Sequence, residues 1–141
     1  MTRRTRPRAS LVLAVAALAL AVAPGCAQKY RAEQDGKDVG EALCDLRDAE
    51  AGEAQAALAE VETEVDDISE EFAVFTAEDR EDIAENLSDL AQHVADGDES
   101  LAQQDIAVIQ RSLDNIRDDV SDTAAAAIDG VLEGVDDCLN G

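Results

Sequence analysis

The sequence predicts an all-α protein, and three observations support this fold class. From Val39 to Gly141 the chain contains no proline, the residue that most strongly interrupts a helix. Over the same stretch apolar residues recur at every third or fourth position, which places them on one face of a helix. No segment alternates between apolar and polar residues as a half-buried strand does. We therefore expect an antiparallel helical bundle, with four helical segments favoured and three long helices as the alternative.

The first half of this stretch predicts two helical segments with a break between them. Val39, Leu43 and Leu46 form one apolar stripe. A second stripe follows in steps of three and four residues: Leu58, Val61, Val65, Ile68, Phe72 and Phe75. Gly52 and a run of alanines separate the two stripes, and the phase of the pattern slips by one residue there. A kink or break is therefore expected near Gly52.

The next helix is predicted to start at Thr76. The Thr76 side chain can cap a helix, and Glu78 and Asp79 lie in the first turn, where the helix dipole favours acidic residues. An apolar stripe follows this start: Ile83, Leu87, Leu90 and Val94. The segment after Thr76 is therefore expected to form one amphipathic helix.

Two further turns are predicted in the rest of the chain. Gly97 suits the left-handed residue that ends many helices, and Asp98 or Ser100 can start the following helix. The last apolar stripe reaches the C-terminal region: Ile106, Ile109, Leu113, Ile116, Val120, Ala124, Ala127, Val131, Val135 and Cys138. Residues 121–123 interrupt it with Ser-Asp-Thr, which favours caps over helix interiors and predicts an extra turn.

The N-terminus has the pattern of a secretory signal peptide. The first eight residues contain four arginines and no acid, and residues 11–23 are uncharged and consist mainly of Leu, Ala and Val. The small residues Ala23 and Gly25 stand just before Cys26. This arrangement resembles the lipobox of bacterial lipoproteins. The resemblance implies that residues 1–25 are removed and that a diacylglyceryl group on the Cys26 thiol holds the protein at the extracytoplasmic face of the cell membrane.

Two alternatives remain open for this segment. An ordinary signal peptidase could cut after Ala21 or Ala23 and release a secreted, soluble protein. The apolar run could also stay attached as a membrane helix, although its length of about 13 residues is short of the roughly 20 that span a bilayer.

These signals divide the chain into three parts. Residues 1–25 are the predicted signal peptide, residues 26–38 a lipidated N-terminus and flexible tether, and residues 39–141 the helical bundle domain. The tether is expected because residues 27–38 are polar, mixed in charge and contain Gly36.

The charge of the chain limits its partners. After residue 25 there are seven basic and 33 acidic residues, which gives a formal charge of −26. Such a surface repels nucleic acid and attracts cations and basic protein surfaces. We therefore expect no nucleic-acid partner. A solvated, soluble surface is the simpler interpretation of this charge, and a basic protein partner in the envelope is the functional hypothesis beside it.

Two cysteines, Cys44 and Cys138, remain once Cys26 is assigned to the lipid. An even number of cysteines in an exported protein usually forms disulfides. The chain-entropy model gives a loop of this size roughly 4–5 kcal/mol of stabilisation. Three unbroken helices would place the two cysteines at opposite ends of the bundle. The bond therefore favours an even number of antiparallel segments, or else pairing between molecules.

The sequence after the signal peptide shows no catalytic or metal-binding pattern. His93 is the only histidine in the chain, and a place on a helix surface is expected for it. Asp66 and Asp67 with Glu70 and Glu71 could bind divalent cations weakly through one helix face, although a solvated face is the simpler interpretation. We expect no enzyme, no catalytic residue, no metal site and no cofactor.

The function that follows is a non-enzymatic one. The layout, with one cysteine early and one near the C-terminus, resembles that of small helical lipoproteins of high-GC Gram-positive bacteria. We expect a membrane-anchored, acidic interaction or accessory module of the cell envelope. The alternative is an acidic cation-binding or spacer protein without a specific protein partner, and a carrier for an apolar ligand would need an internal cavity.

Overall fold

The structure is a computed structural model that describes residues 24–140. These residues form five α-helices and one short 3₁₀ turn, and they contain no strand. The helices are α1 (Pro24–Arg47), α2 (Ala54–Phe72), α3 (Ala77–Ala95), α4 (Glu99–Arg117) and α5 (Asp122–Asn140), and the 3₁₀ turn is Ala51–Glu53. The all-α prediction is confirmed, but five helices replace the four or three that were expected. The predicted signal peptide lies outside the described residues except for its last two.

Consecutive helices run antiparallel, as ion pairs between the end of one helix and the start of the next demonstrate. For α1 and α2 the ion pair joins the start of the first helix to the end of the second. This arrangement is also antiparallel. The pairs are Arg31 with Glu71, Asp66 with Arg80, His93 with Asp105 and Arg117 with Asp129. Because every connection reverses the chain, α1, α3 and α5 share one direction.

The core is built mainly from the predicted apolar stripes, and it also contains Ile128, which no predicted stripe included. The largest side chains that are fully buried are Leu46, Ile68, Leu87, Leu90 and Ile128. Two stripe residues, Ile116 and Val120, are only partly buried. The interior cavity between the helices holds about 10 Å³ and is lined by apolar side chains, among them Val39, Leu87 and Val131. A space of that size accepts about one water molecule, so this part of the core is closely packed.

Most of the predicted helix boundaries are confirmed. The Thr76 hydroxyl accepts a hydrogen bond from the Asp79 backbone N–H (3.1 Å), and the Asp79 carboxylate accepts one from the Thr76 N–H (3.2 Å), which completes a capping box. Gly97 has the expected left-handed backbone, with φ +74°. Asp98, and not Ser100, caps α4 by accepting from the Leu101 N–H.

The connections on either side of α2 and before α5 also follow local chemistry. The predicted break near Gly52 is present, because α1 ends at Arg47 and the 3₁₀ turn separates it from α2. The predicted extra turn is present just before residues 121–123, at residues 118–121, because α5 already begins at Asp122, and the Ser121 hydroxyl accepts from the Ala124 N–H (3.2 Å). At the other end of α2, the helix stops three residues before Phe75, because Ala73 adopts a left-handed conformation with φ 53°.

The structure differs from the prediction for residues 26–38. They were expected to form a flexible tether, but they are the first half of α1, and burial begins at Ala32. The segment lacks large apolar residues because its partner, α5, approaches it through glycines. A Cβ atom at Gly40 would lie 2.6 Å from the Val131 carbonyl oxygen, and one at Gly134 would lie 2.8 Å from the Lys37 carbonyl oxygen. Only glycine permits this contact between two helix backbones.

We call the contact through Gly36, Gly40, Gly130 and Gly134 the glycine interface. Residues 32–44 of α1 and residues 126–138 of α5 carry the same pattern, Ala-x-x-Asp-Gly-x-x-x-Gly-x-x-x-Cys. The two copies are 94 residues apart, the same separation as that of the two cysteines in the disulfide. The helices therefore lie parallel and in register, with equivalent residues side by side.

The disulfide between Cys44 and Cys138 closes one end of the glycine interface, and the two Cα atoms are 6.3 Å apart. The inference that such a bond requires an even number of segments is wrong. It placed Cys44 near the start of the first helix, whereas α1 begins at Pro24 and Cys44 lies near its C-terminal end. The first and fifth helices are parallel, so their C-terminal ends meet.

Candidate functional site

A concave surface lined mainly by acidic side chains lies between α1 and α2. We call it the acidic groove; it has a volume of about 470 Å³ and is lined by Asp35, Glu64, Asp67, Ile68, Glu70 and Glu71. Asp35 comes from α1 and the other residues from α2. On α2 the acidic residues recur at helical spacing, which places them along the side that borders α1. Five carboxyl groups thus surround one apolar side chain.

Two of these carboxyl groups are held in an unfavourable environment. Partial burial, followed by the negative charges of Glu71 and Asp38, raises the pKa of Asp35 above its ordinary value of 3.8, although Arg31 opposes the shift. Partial burial and the charges of Asp38 and Asp67 likewise raise the pKa of Glu64. Carboxylates on α1 and α2 therefore repel one another across the groove, and a positive charge placed there would relieve the repulsion.

One cation is already present at the edge of the groove. The Arg31 guanidinium donates a hydrogen bond to the Glu71 carboxylate. Both side chains are well exposed to solvent, so this pair is of the kind that contributes little to stability. The groove therefore keeps a large excess of negative charge.

Part of this groove was predictable from the sequence. One acidic face was expected from Asp66, Asp67, Glu70 and Glu71, and the structure places all of them except Asp66 around the groove. Asp66 instead lies on the α3 side of α2, 3.8 Å from Arg80. Asp35 and Glu64 were missed. The spacing of Glu64 to the other acids was visible in the sequence, but Asp35 belonged to the segment that was expected to be a tether.

A second concave surface lies at the opposite end of the bundle. This cleft has a volume of about 770 Å³, and it is bounded by the α1–α2 connection and the α3–α4 turn. Its charged lining consists of Arg47, Asp48, Asp98 and Glu99. Arg47 donates hydrogen bonds of 3.0 and 3.3 Å to the Asp48 carboxylate, and Asp98 caps α4. Arg47, Asp48 and Asp98 therefore serve the local structure.

His93 was expected on a helix surface, and it lies at the end of α3 with about a quarter of its side chain exposed. Its Nδ1 atom bonds the Asp105 carboxylate on α4. This hydrogen bond raises the pKa of His93 above its ordinary value of 6.5. The pair links α3 to α4, and a structural role accounts for it.

Among residues 24–140, no group of three or more His, Cys, Asp or Glu side chains is arranged to hold a metal ion. Within the same residues, no helix combines the length and the apolar character that crossing a membrane requires.

The predicted site residues lie far apart in the bundle. Cys26 is exposed in the first turn of α1, and its thiol is free. Cys44 and Cys138 form the disulfide near the other end of that helix. The assigned roles of the cysteines thus fall at opposite ends of α1.

The comparisons with known proteins give no relative from which a role could be transferred. No protein-family profile, no curated protein and no solved structure matches this chain.

Proposed function

We propose that the chain is a non-enzymatic lipoprotein of the bacterial cell envelope, anchored through a lipid on Cys26, that presents the acidic groove to a basic protein partner. The observation that carries the proposal is the groove itself, in which five carboxyl groups face a single arginine. Binding of lysine or arginine side chains there would replace mutual repulsion of the carboxylates with charge-assisted hydrogen bonds.

The position of the groove adds a geometric requirement for the partner. Asp35 follows Cys26 by nine residues of the same helix, which is about 14 Å along the helix axis. With a lipid on Cys26, the groove would lie near the membrane surface. The partner is therefore expected to expose its basic segment close to the membrane, as the juxtamembrane region of a membrane protein does.

The anchor is tested separately from the groove. We expect the Cys26→Ser variant to lose incorporation of a labelled fatty acid and to leave the membrane fraction of the cells, while the purified variant keeps its helical content. Retention of the label by the variant would contradict lipidation at Cys26. Collapse of the bundle would contradict the separation of the anchor from the fold.

The groove is tested by crosslinking in intact cells, followed by mass spectrometry of the captured proteins. The test variant is Glu64→Gln/Asp67→Asn/Glu70→Gln, which removes three charges from the groove. Its matched control is Glu78→Gln/Glu81→Gln/Asp82→Asn, which removes three charges from exposed positions of α3. We expect the test variant alone to lose a captured partner, and the affinity of that partner to fall as the salt concentration rises.

Two results would contradict a specific groove function. Equal loss of capture in both variants would indicate that the net charge of −26 acts as a whole. Capture that neither variant affects would show that the partner binds elsewhere on the surface.

The alternative is an acidic cation-binding or spacer protein, and the raised pKa values of Asp35 and Glu64 favour the cation-binding form of it. Calorimetry with Ca²⁺ and with Mg²⁺ separates the two proposals. Saturable, stoichiometric heat that the groove variant loses supports cation binding, whereas weak and featureless heat supports the protein partner.

A further inference from the structure

We propose that α1 is a releasable arm, which the Cys44–Cys138 disulfide locks onto α5 and which separates from the bundle when that disulfide is reduced. Three features of the molecule support this role: the position of the bond, the composition of α1 and the charges on either side of that helix. The role does not depend on the proposed partner or on the lipid.

The helix α1 is weak by itself. Gly36 and Gly40 lie in its interior, where each glycine disfavours the helix relative to alanine by about 1 kcal/mol. Its larger buried side chains, Val39, Leu43 and Leu46, all lie in its C-terminal half, and the first half buries only Ala32. Around Gly36 and Gly40 the contact with α5 brings backbone against backbone, so no large side chain anchors that part of the helix. The helix therefore depends on being held against its partner.

The charges around α1 act in opposite directions. Toward α5, Lys37 pairs with Glu133 at 3.3 Å and Lys29 approaches Asp122 at 3.9 Å. In each pair the acidic side chain is about half exposed or more. Exposed pairs of this kind contribute little. Toward α2, the carboxylates of Asp35 and Asp38 meet those of Glu64, Asp67 and Glu71, with Arg31 as the nearby cation.

The disulfide determines whether α1 stays docked on α5. The loop that it closes has a sequence separation of 94 residues, so the bond keeps the α1 and α5 ends together at a high effective concentration. Without it, the connection formed by residues 48–53 is the only covalent link between α1 and the rest of the bundle, and packing against the core must do the rest. Gly52 in that connection has no atom near the position that a Cβ would take, so the connection has room to move.

Reduction of the bond follows ordinary thiol–disulfide exchange. A thiolate of an external dithiol attacks the sulfur of Cys138, which is the more exposed of the two cysteines, and Cys44 leaves as a thiolate that takes up a proton. The second thiol of the reductant then displaces Cys138. The reductant ends as a disulfide and both cysteines as thiols, a transfer of two electrons and two protons.

The test is hydrogen–deuterium exchange with mass spectrometry on the purified full chain at low salt, before and after reduction with dithiothreitol. We expect the backbone amides of residues 36–47 to exchange about 100-fold faster or more after reduction. The amides of α3 and α4 serve as the internal reference and are expected to change much less. The Cys44→Ser/Cys138→Ser variant should reproduce the reduced state without dithiothreitol.

A charge variant tests the opposing force. In the reduced protein, Asp35→Asn/Glu64→Gln removes repulsion between α1 and α2 and should slow the exchange of residues 36–47 several-fold. Its matched control, Glu78→Gln/Asp82→Asn on α3, should leave that exchange unchanged.

Three outcomes would overturn the proposal. Unchanged protection of α1 after reduction would show that the disulfide is not the lock. Equal loss of protection in α1, α3 and α4 would show that the bond stabilises the whole bundle and no separate arm. An equal response of the two charge variants would show that repulsion across the groove does not oppose docking.

Discussion

Two helix pairs of this molecule pack by different means. The α3–α4 pair is a short-range hairpin held by large side chains, among them Leu87, Leu90 and Ile106, which are almost fully buried. The α1–α5 pair joins opposite ends of the sequence through glycines, and a disulfide closes it. The α3–α4 contact requires large side chains, whereas the α1–α5 contact requires residues without a side chain. Substitutions that fill or empty a position should therefore have opposite effects in the two pairs.

The largest effect is expected from emptying the hairpin. The Leu90→Ala variant removes a side chain that is completely buried, and it should lower the free energy of unfolding by about 2–5 kcal/mol, through lost burial and the cavity that remains. Denaturant unfolding of the purified chain measures this change. Leu101→Ala on α4, where the side chain is 37 % exposed, is the control and should change stability little. Similar losses in both variants would show that Leu90 is not a core position.

A slightly smaller effect is expected from filling the glycine interface. The Gly40→Ala variant adds a methyl group 2.6 Å from the Val131 carbonyl oxygen, so the two backbones must separate, at about 1–3 kcal/mol. Gly52→Ala is the matched control, because no atom lies within 4 Å of the added group. That change should be neutral or stabilise by up to about 1 kcal/mol, since it restricts the unfolded chain. A neutral Gly40→Ala variant would disprove the close contact.

The capping box at the start of the hairpin should contribute less. The Thr76→Ala variant loses the side-chain acceptor for the Asp79 N–H, and it should reduce stability by about 1 kcal/mol. Thr63→Ala on the exposed face of α2 is the control, because the Thr63 hydroxyl only bonds the Ala59 carbonyl within the helix. Thermal unfolding compares the two variants, and a larger loss at Thr63 would count against the capping box.

The smallest effect concerns pH. The hydrogen bond to Asp105 raises the pKa of His93 above 6.5, so the stability from this pair is fully present below pH 6.5 and is lost as the pH rises through the folded-state pKa. The thermal midpoint of the wild type should therefore exceed that of His93→Gln at about pH 5.5, and the difference should shrink by about pH 9. A difference that grows with pH would have the wrong sign and would exclude this pairing.

The same contrast separates what the sequence could reveal from what it could not. The stripes of α2, α3 and α4 follow the 3.6-residue period because large side chains form their contacts, and Thr76, Gly97 and Ser121 act through local chemistry. These features depend on neighbours within a few positions. Hydrophobic periodicity was therefore sufficient to predict them.

The first half of α1 could not be found in this way. A helix that packs through Gly36 and Gly40 has no apolar stripe there, and the same glycines are typical of a flexible linker. The usable signal was the pattern shared by residues 32–44 and 126–138, which only a comparison of the chain with itself reveals. Missing it also hid Asp35 from the acidic groove and led to the wrong topology for the disulfide.

The disulfide has a mechanical consequence for a molecule held at its N-terminal side. A pulling force between Cys26 and the C-terminal end travels along α1 to Cys44, crosses the bond to Cys138 and leaves through the last residues of α5. The covalent load path thus omits residues 45–137, which contain all of α2, α3 and α4. Tension acts on α1 and on the last residues of α5 alone, and the rest of the bundle, including most of α5, stays unloaded while the bond is intact.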